Sequence, residues 1–277
     1  MRKIDALLNQ TPDKHLFHYT SAHGLLGILD TRSIWASSVY HLNDSKEFRY
    51  PMDLMIERLQ NRIKHEHGPN NETYGVVLKT LTDLTHRVQA FVACFSEDGD
   101  LLSQWLAYSG SGNGYAIGLS PDQFRSAIDA GFRLVRCVYE EDEQATMADA
   151  VIDVLCDQEQ RDDQELLEKA LVATAAIKHP GFRQEAEWRL VKPIGVGNGQ
   201  MTGTKFRQGR NGIVPYLEAP MVPDKRQLIP NAIHLGPSDD TEAAQLAVFT
   251  LLDFHGLMPS LGERRVNVQP SKTPYRP

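Results

Sequence analysis

Residues 15–29, HLFHYTSAHGLLGIL, decide how the chain is to be folded. The first residues read as a strand that stops at Thr20 or Ser21, either of which can cap a helix beginning at Ala22. Leu25 and Leu29 lie one turn apart and form the buried stripe of that helix to about Asp30, while Gly24 and Gly27 let another group approach its backbone. Along the strand His18 and Thr20 point one way and Tyr19 the other. An imidazole and hydroxyls at a strand-to-helix junction form either an ordinary core element or one wall of a site completed later in the chain.

Further strands are read at SIWASS (33–38), FVACFS (91–96), YAIGLS (115–120), FRLVRCVYE (132–140), EAEWRLV (185–191), NAIHLG (231–236) and RVNVQP (265–270). Aromatic and small apolar residues leave FVACFS almost no polar face, as a core strand requires. Helical spacing joins Met52, Met55, Ile56, Leu59 and Ile63, then Val77, Leu81, Leu84 and Val88, then Leu101, Trp105 and Tyr108. Helical patterns also fill most of 143–178 and the stretch TEAAQLAVFTLLDFHG (241–256), and Pro121 opens a short helix. The glycine-bearing stretch from Pro193 to Gly212 reads as one long loop. Strands and helices are distributed throughout without a repeated βαβ pattern, so an α+β fold is expected. Residues 1–14 read as a leader, and 15–277 as a single domain with a helical insertion over 143–178.

The 277 residues are enough for a substantial core, and 41% hydrophobic with 23% charged residues is a globular composition. A formal net charge of -7 argues against broad, sequence-independent duplex binding but leaves room for a small basic groove. The start MRKIDALLNQTPDK has no apolar run before a small-residue cleavage site, so no secretory signal is expected. No stretch has bilayer-spanning apolar length, so no membrane partner is expected either. Three widely spaced cysteines, Cys94, Cys137 and Cys156, suit neither a disulfide framework nor a four-cysteine zinc site and point to a reducing cytoplasm.

Familiar mechanisms fail on spacing. GNGQMTGTK lacks the adjacent Gly-Lys of a P-loop, and GSGNGYAIG precedes a strand where a dinucleotide fingerprint would join strand to helix. His65 and His67, two apart, do not share a helix face, and no metal site is read. FSEDGD is too short for an EF-hand loop, and no Gly-x-Ser-x-Gly elbow occurs.

Four constellations remain. His18 and Thr20, with the amides of the following helix, can meet a ribose or a phosphate, with Tyr19 between them. Asn43, Asp44 and Glu47 form a polar run after the SIWASS strand that can orient a substrate. Trp105 and Tyr108 can make a flat wall for a base, with Ser96 and Asp100 nearby as polar contacts. In EAEWRLV, strand alternation puts Glu185, Glu187 and Arg189 on one face, an arrangement costly to bury without partners. There a carboxylate can grip ribose hydroxyls and stabilise an oxocarbenium-like centre, while Arg189 binds a carboxylate or phosphate.

Taken in order, HYTSAHGLLGIL, IWASS, LNDSKEF, VACFSE with QWLAYSGSGNGYAIG, EAEWRLV, IHLGPS and VQPSKTPYR resemble a widespread bacterial family known only as a domain of unknown function. More distantly, the histidine strand with a following hydroxyl, a middle aromatic and a Glu-x-Glu pair resemble the ADP-ribosyltransferase-like enzymes. That resemblance implies a mixed or mostly antiparallel split sheet flanked by helices. It also implies NAD as substrate, with a protein, a nucleic acid or water as acceptor. On it His18 and Glu187, with Glu185, are the catalytic positions, and Tyr19, Thr20, Asn43, Ser96, Trp105, Tyr108 and Arg189 contact the cofactor. Three departures stand out: Tyr19 replaces a small residue, the middle tyrosine lacks a Ser-Thr-Ser setting, and Arg189 follows the glutamates. The alternatives are a metal-dependent hydrolase or nuclease built on Asp44, Glu47, Glu185 and Glu187, and a non-catalytic nucleotide-binding or regulatory protein. They are separated by whether His18 and Glu187 line one cleft. The C-terminal Ser271, Tyr275 and Arg276 read as a tie-down of the last strand, with a phosphate contact as the alternative.

Overall fold

The computed structural model describes residues 3–41, 49–65, 70–84, 89–108, 114–161, 163–194, 203–209, 212–223, 226–258 and 266–273. In these the strands are β1 (Leu16–Thr20), β2 (Ser33–Ser38), β3 (Gln89–Ser96), β4 (Tyr115–Leu119), β5 (Arg133–Arg136), β6 (Glu187–Ile194), β7 (Lys205–Gly209), β8 (Gly212–Pro220), β9 (Ala232–Leu235) and β10 (Asn267–Pro270). The helices are α1 (Lys3–Leu8), α2 (Ala22–Thr31), α3 (Arg49–His65), α4 (Asn70–Leu84), α5 (Leu102–Tyr108), α6 (Arg125–Asp129), α7 (Glu141–Cys156), α8 (Gln158–Arg161), α9 (Gln164–Ala176) and α10 (Thr241–Phe254).

All the strands join one sheet, antiparallel throughout except for the parallel pair β9 and β10. Together with its helical layers it makes a single α+β domain, as the strand and helix patterns predict. Strand alternation sends Leu16, Ile34, Phe91, Phe95, Ile117, Trp188 and Leu190 to one face, where they meet α2, α6 and α10 through Leu25, Ile28, Ala127, Val248 and Leu252. Val92 and Val191 face the other way, onto Met55 and Leu59 of α3, Val77 of α4, Met147 and Val151 of α7 and Leu166 and Ala173 of α9. The helices over 141–176 thus supply much of the core on that face. Leading residues 3–8 form α1, whose Ile4 is buried in that cluster and whose Asp5 pairs with Lys169 at 2.7 Å.

The feature that positions the site is a fork at β3. One edge of β3 pairs with β6 along its whole length, from Gln89 opposite Ile194 to Ser96 opposite Glu187. The other edge is shared. β2 holds it at Phe91 and Val92, opposite Ser38 and Ser37, and β1 holds it only at Ser96, opposite Phe17. From there β1 continues to β4 and β2 to β8, so the sheet splits and Ala93, Cys94 and Phe95 have no partner strand on that side.

Two local readings change. Residues 193–212 are not one loop: Lys205–Gly209 is β7, hairpin-paired with β8 from Lys205 opposite Tyr216 to Gly209 opposite Gly212. Exposed Phe206 and Ile213 in that hairpin, with Pro215 and Pro220, hid an edge ribbon from a search for buried alternation. Glu185 is not on the EAEW strand either. It ends a 3₁₀ turn, Pro180–Glu185, and Ala186 takes a left-handed conformation (φ 41°) before β6 begins at Glu187. The alternation argument holds for Glu187 and Arg189 and fails for Glu185.

Candidate functional site

A cavity of about 790 Å³ opens at the split between β1 and β2. The unpaired stretch of β3 contributes its floor, through Cys94 and its neighbours. His18, Thr20 and Ser21 wall one side, Trp35 and Ser37 of β2 the other, Tyr108 closes from α5, and Glu185 and Glu187 border the far end.

His18 replaces the missing ladder bond. Its Nδ1 lies 2.9 Å from the Cys94 carbonyl oxygen. A carbonyl only accepts, so Nδ1 carries the proton and donates it, which fixes the tautomer and leaves Nε2 with a lone pair. Burial pushes the imidazole below its ordinary pKa of 6.5, against the opposing effect of the Cys94 bond. The ring, 5.4 Å from that of Phe95, is therefore a neutral acceptor at neutral pH.

The junction after His18 is tightly made. Ser21 is the cap of α2, its hydroxyl accepting from the Gly24 amide at 3.3 Å. Gly24 is required by Thr20, because a Cβ there would come within 1.9 Å of the threonine Oγ1. Thr20 thereby faces the cavity with its side chain laid over the first turn of α2. Tyr19 also borders the hollow, but its hydroxyl donates to the Asp98 carbonyl at 2.8 Å and accepts from the Leu101 amide at 2.9 Å. That hydroxyl clamps the loop after β3; burial keeps it protonated.

At the far end two carboxylates share one buried ammonium. Lys178 Nζ donates to Glu185 Oε2 at 2.5 Å and to Glu187 Oε2, and it lies 5.1 Å from the Phe182 ring centre. Arg189 donates from Nε to Glu187 Oε1 at 2.8 Å and from Nη1 to the Ala175 carbonyl at 2.7 Å. The Glu187 amide donates to Tyr139 Oη at 3.0 Å. Burial by itself would raise the Glu187 pKa, but the charges of Arg189 and Lys178 outweigh it and hold the carboxyl well below the usual carboxylate range. Four charges, two of each sign, therefore cancel. Glu185 is the more accessible carboxylate, with its side chain 16% exposed against 4% for Glu187.

Of the residues read from sequence, His18, Tyr19, Thr20, Ser96, Tyr108, Glu185 and Glu187 all border this cavity. Ser96 does so with its hydroxyl donating to the Glu185 carbonyl at 2.7 Å and accepting from the Asp98 amide at 3.1 Å, so it ties β3 to the turn before β6. Arg189 and Trp105 stand behind the wall. Arg189 spends its guanidinium on Glu187 and Ala175. Trp105 is buried, edge-on to Tyr19 at 4.7 Å, with Nε1 donating to Asp100 at 2.8 Å. Asp100 does not border the cavity and clamps the C-terminal segment, accepting from Ser271 Oγ and from the Lys272 amide at 2.7 Å. Asn43, Asp44, Glu47, Tyr275 and Arg276 lie outside the described residues.

Sequence reasoning missed Lys178, Tyr139, Trp35 and Arg207. Trp35, tilted against Tyr216 with ring centres 4.7 Å apart, is an aromatic that reaches the cavity where Trp105 does not. Its alternation partner Ser37 was the available signal. Lys178 follows the last turn of a helix and has no motif at all.

Among the described residues no group of three or more His, Cys, Asp or Glu is arranged to hold a metal ion, and no helix is long and apolar enough to cross a membrane. Residues 104–190 match the family described as "Protein of unknown function (DUF2971)". The matched segment runs from α5 into β6 and so includes Tyr108, Lys178, Glu185, Glu187 and Arg189. No curated protein and no solved structure matches the chain.

Proposed function

We propose that the hollow between β1 and β2 binds NAD or a closely related nucleotide, and that the protein breaks its nicotinamide–ribose bond. The ADP-ribose passes to a protein or nucleic-acid nucleophile, or to water. One observation carries this reading: His18, Tyr108, Glu185 and Glu187, from distant parts of the chain, border a single cavity of about 790 Å³. Small-molecule sites span about 300–1,000 Å³.

The chemistry follows from the side chains. The ring Tyr108 brings to the cavity is a surface against which a flat nicotinamide can rest. Glu185, the more exposed carboxylate, accepts hydrogen bonds from ribose hydroxyls and faces the positive charge that develops as the bond breaks. The bonding pair leaves with the nicotinamide ring nitrogen, and nicotinamide departs neutral. The acceptor oxygen or nitrogen then bonds to the ribose carbon and loses its proton to His18 Nε2, the ring nitrogen not engaged by the Cys94 carbonyl. Glu187 acts through Lys178 and Arg189 and fixes the position of Glu185.

The cancellation of charge at the far end favours a second reading, a nucleotide-binding protein without catalysis. One experiment separates them: purified protein is incubated with NAD labelled in the nicotinamide ring, with and without a lysate as acceptor source, and free nicotinamide is counted. Release that falls at least tenfold in Glu185→Gln and His18→Ala supports cleavage. Saturable NAD binding without release supports the binder, and neither binding nor release defeats both.

A further inference from the structure

The cavity has a second pole that neither the sequence nor the family match assigns, and it lies at Arg207. This residue comes from β7, yet its Nη2 donates to Ser37 Oγ on β2 at 3.0 Å, so the guanidinium reaches back over β8 to the rim of the split. Nε of Arg207 is shut away from solvent and, among the described residues, has no hydrogen-bond partner. Among the described residues no carboxylate pairs with it. Lys205, two residues earlier on the same strand, has its carboxylate in Glu218 at 2.8 Å, and Arg189, behind the wall at the other end, has Glu187. A guanidinium presents five donors in a planar fork suited to phosphate or carboxylate, and leaving one of them buried and unmatched is costly. Among the described residues, Arg207 is the cation bordering this hollow that has no carboxylate partner.

Its place relative to the carboxylates is set by the sheet. Ile34 and Ala36 of β2 and Trp188 and Leu190 of β6 belong to the cluster on the α2 face. Strand alternation therefore puts Ser37 of β2 and Glu187 of β6 together on the opposite face. β2 and β6 flank β3 on either side, two strand spacings or roughly 10 Å apart. Ser37 lies opposite Val92 while Glu187 lies opposite Ser96, four residues or about 13 Å further along β3, so the two positions are roughly 16 Å apart. The hollow is thus polarised, with carboxylates at one end and a cation at the other, and Trp35, on the same face of β2 as Ser37, borders it as well.

The geometry points to Arg207, steadied by Ser37, as the subsite for a phosphate or pyrophosphate group of the ligand. Resting on the nucleotide reading above, this fixes the ligand's direction: the pyrophosphate lies toward β2 and β7, the ribose toward Glu185. A free phosphate would satisfy the same fork, so both sources enter the test.

Binding is measured by calorimetry with four probes: ADP-ribose, NAD, inorganic pyrophosphate and nicotinamide riboside, which lacks phosphate. Arg207→Gln is expected to weaken ADP-ribose and NAD by about tenfold to hundredfold, the loss of one charge-assisted contact. It should leave nicotinamide riboside within twofold and not lower the ligand-free melting temperature. Arg207→Lys should fall between, because it keeps the charge and loses the fork. Should Arg207→Gln fail to fold, Ser37→Ala carries the test, with a several-fold loss confined to the phosphate-bearing probes. Equal weakening of nicotinamide riboside, or unchanged affinity for all probes, overturns the subsite. Pyrophosphate binding that depends on Arg207 without any effect of NAD or ADP-ribose upholds an anion site while removing the nucleotide reading. NAD cleavage that is indifferent to Arg207 removes the subsite and keeps the reading.

Discussion

Replacing Lys178 by methionine tests the buried charge cluster most sharply. The ammonium bonds both Glu185 and Glu187, and both its own side chain and that of Glu187 are 4% exposed. Methionine keeps the length and most of the volume, so packing changes little and the electrostatic loss dominates. Removing one partner of a buried ion pair costs about 3–5 kcal/mol, because the other charge stays desolvated. Arg189 still compensates Glu187, which places the expected loss near the lower end, about 3 kcal/mol. For a domain of this size that is a fall of roughly 6–12 °C in melting temperature. The assay is urea unfolding together with a thermal scan, on Lys178→Met, Glu185→Gln and the double variant. Glu185→Gln should cost more in the wild-type background than in Lys178→Met, where it removes a like charge from beside Glu187. A Lys178→Met protein within about 1 kcal/mol of wild type, or no coupling between the two substitutions, would refute the reasoning.

Three further outcomes are expected. The folded pKa of His18 is lowered by burial, so its neutral form stabilises the fold above the unfolded value near 6.5 and that contribution is lost as pH falls below it; urea midpoints at pH 7.5 and 5.5 should converge in His18→Gln, and an unchanged pH slope would count against a buried neutral imidazole. Gly24→Ala should destabilise by about 1–3 kcal/mol through its clash with Thr20 Oγ1, and Thr20→Ala should recover part of that, whereas equal stability of Gly24→Ala and wild type would mean the close approach is absent. Ala186→Gly, at φ 41°, should hold or raise stability by about 1 kcal/mol, and a clear loss would argue against the left-handed turn that sets Glu185 beside Lys178.

Much of this architecture was legible because burial writes itself into period. β1, β3, β4 and β6 are strands whose inward residues must be apolar, and α3, α7 and α10 carry their stripes at helical spacing. The residues that face the cavity were also partly legible. His18 and Thr20 had to share a side once β1 was a strand, and Glu187 had to share one with Arg189 on β6, although Arg189 ends behind the wall. What failed was whatever depended on non-local geometry. Glu185 left the strand because Ala186 turns left-handed, a conformation nothing in the local composition demands. Trp105 and Tyr108 share one short helix, and only the packing of α5 on β1 decides that Trp105 is core and Tyr108 borders the hollow. Lys178 and Arg207 belong to the site through partners 7 and 170 residues away, Glu185 and Ser37, which no spacing rule reaches. The fork at β3 is likewise a property of pairing, visible only when β1 and β2 are seen to share one edge.

The most direct measurement is a crystal structure of the protein grown with ADP-ribose. The account predicts ligand density in the hollow between β1 and β2, with a ribose hydroxyl within hydrogen-bond reach of Glu185, His18 Nε2 turned toward the ligand and a phosphate on Arg207. Ligand seated elsewhere, or a hollow that stays empty at saturating ADP-ribose while His18 keeps its bond to Cys94, would contradict it.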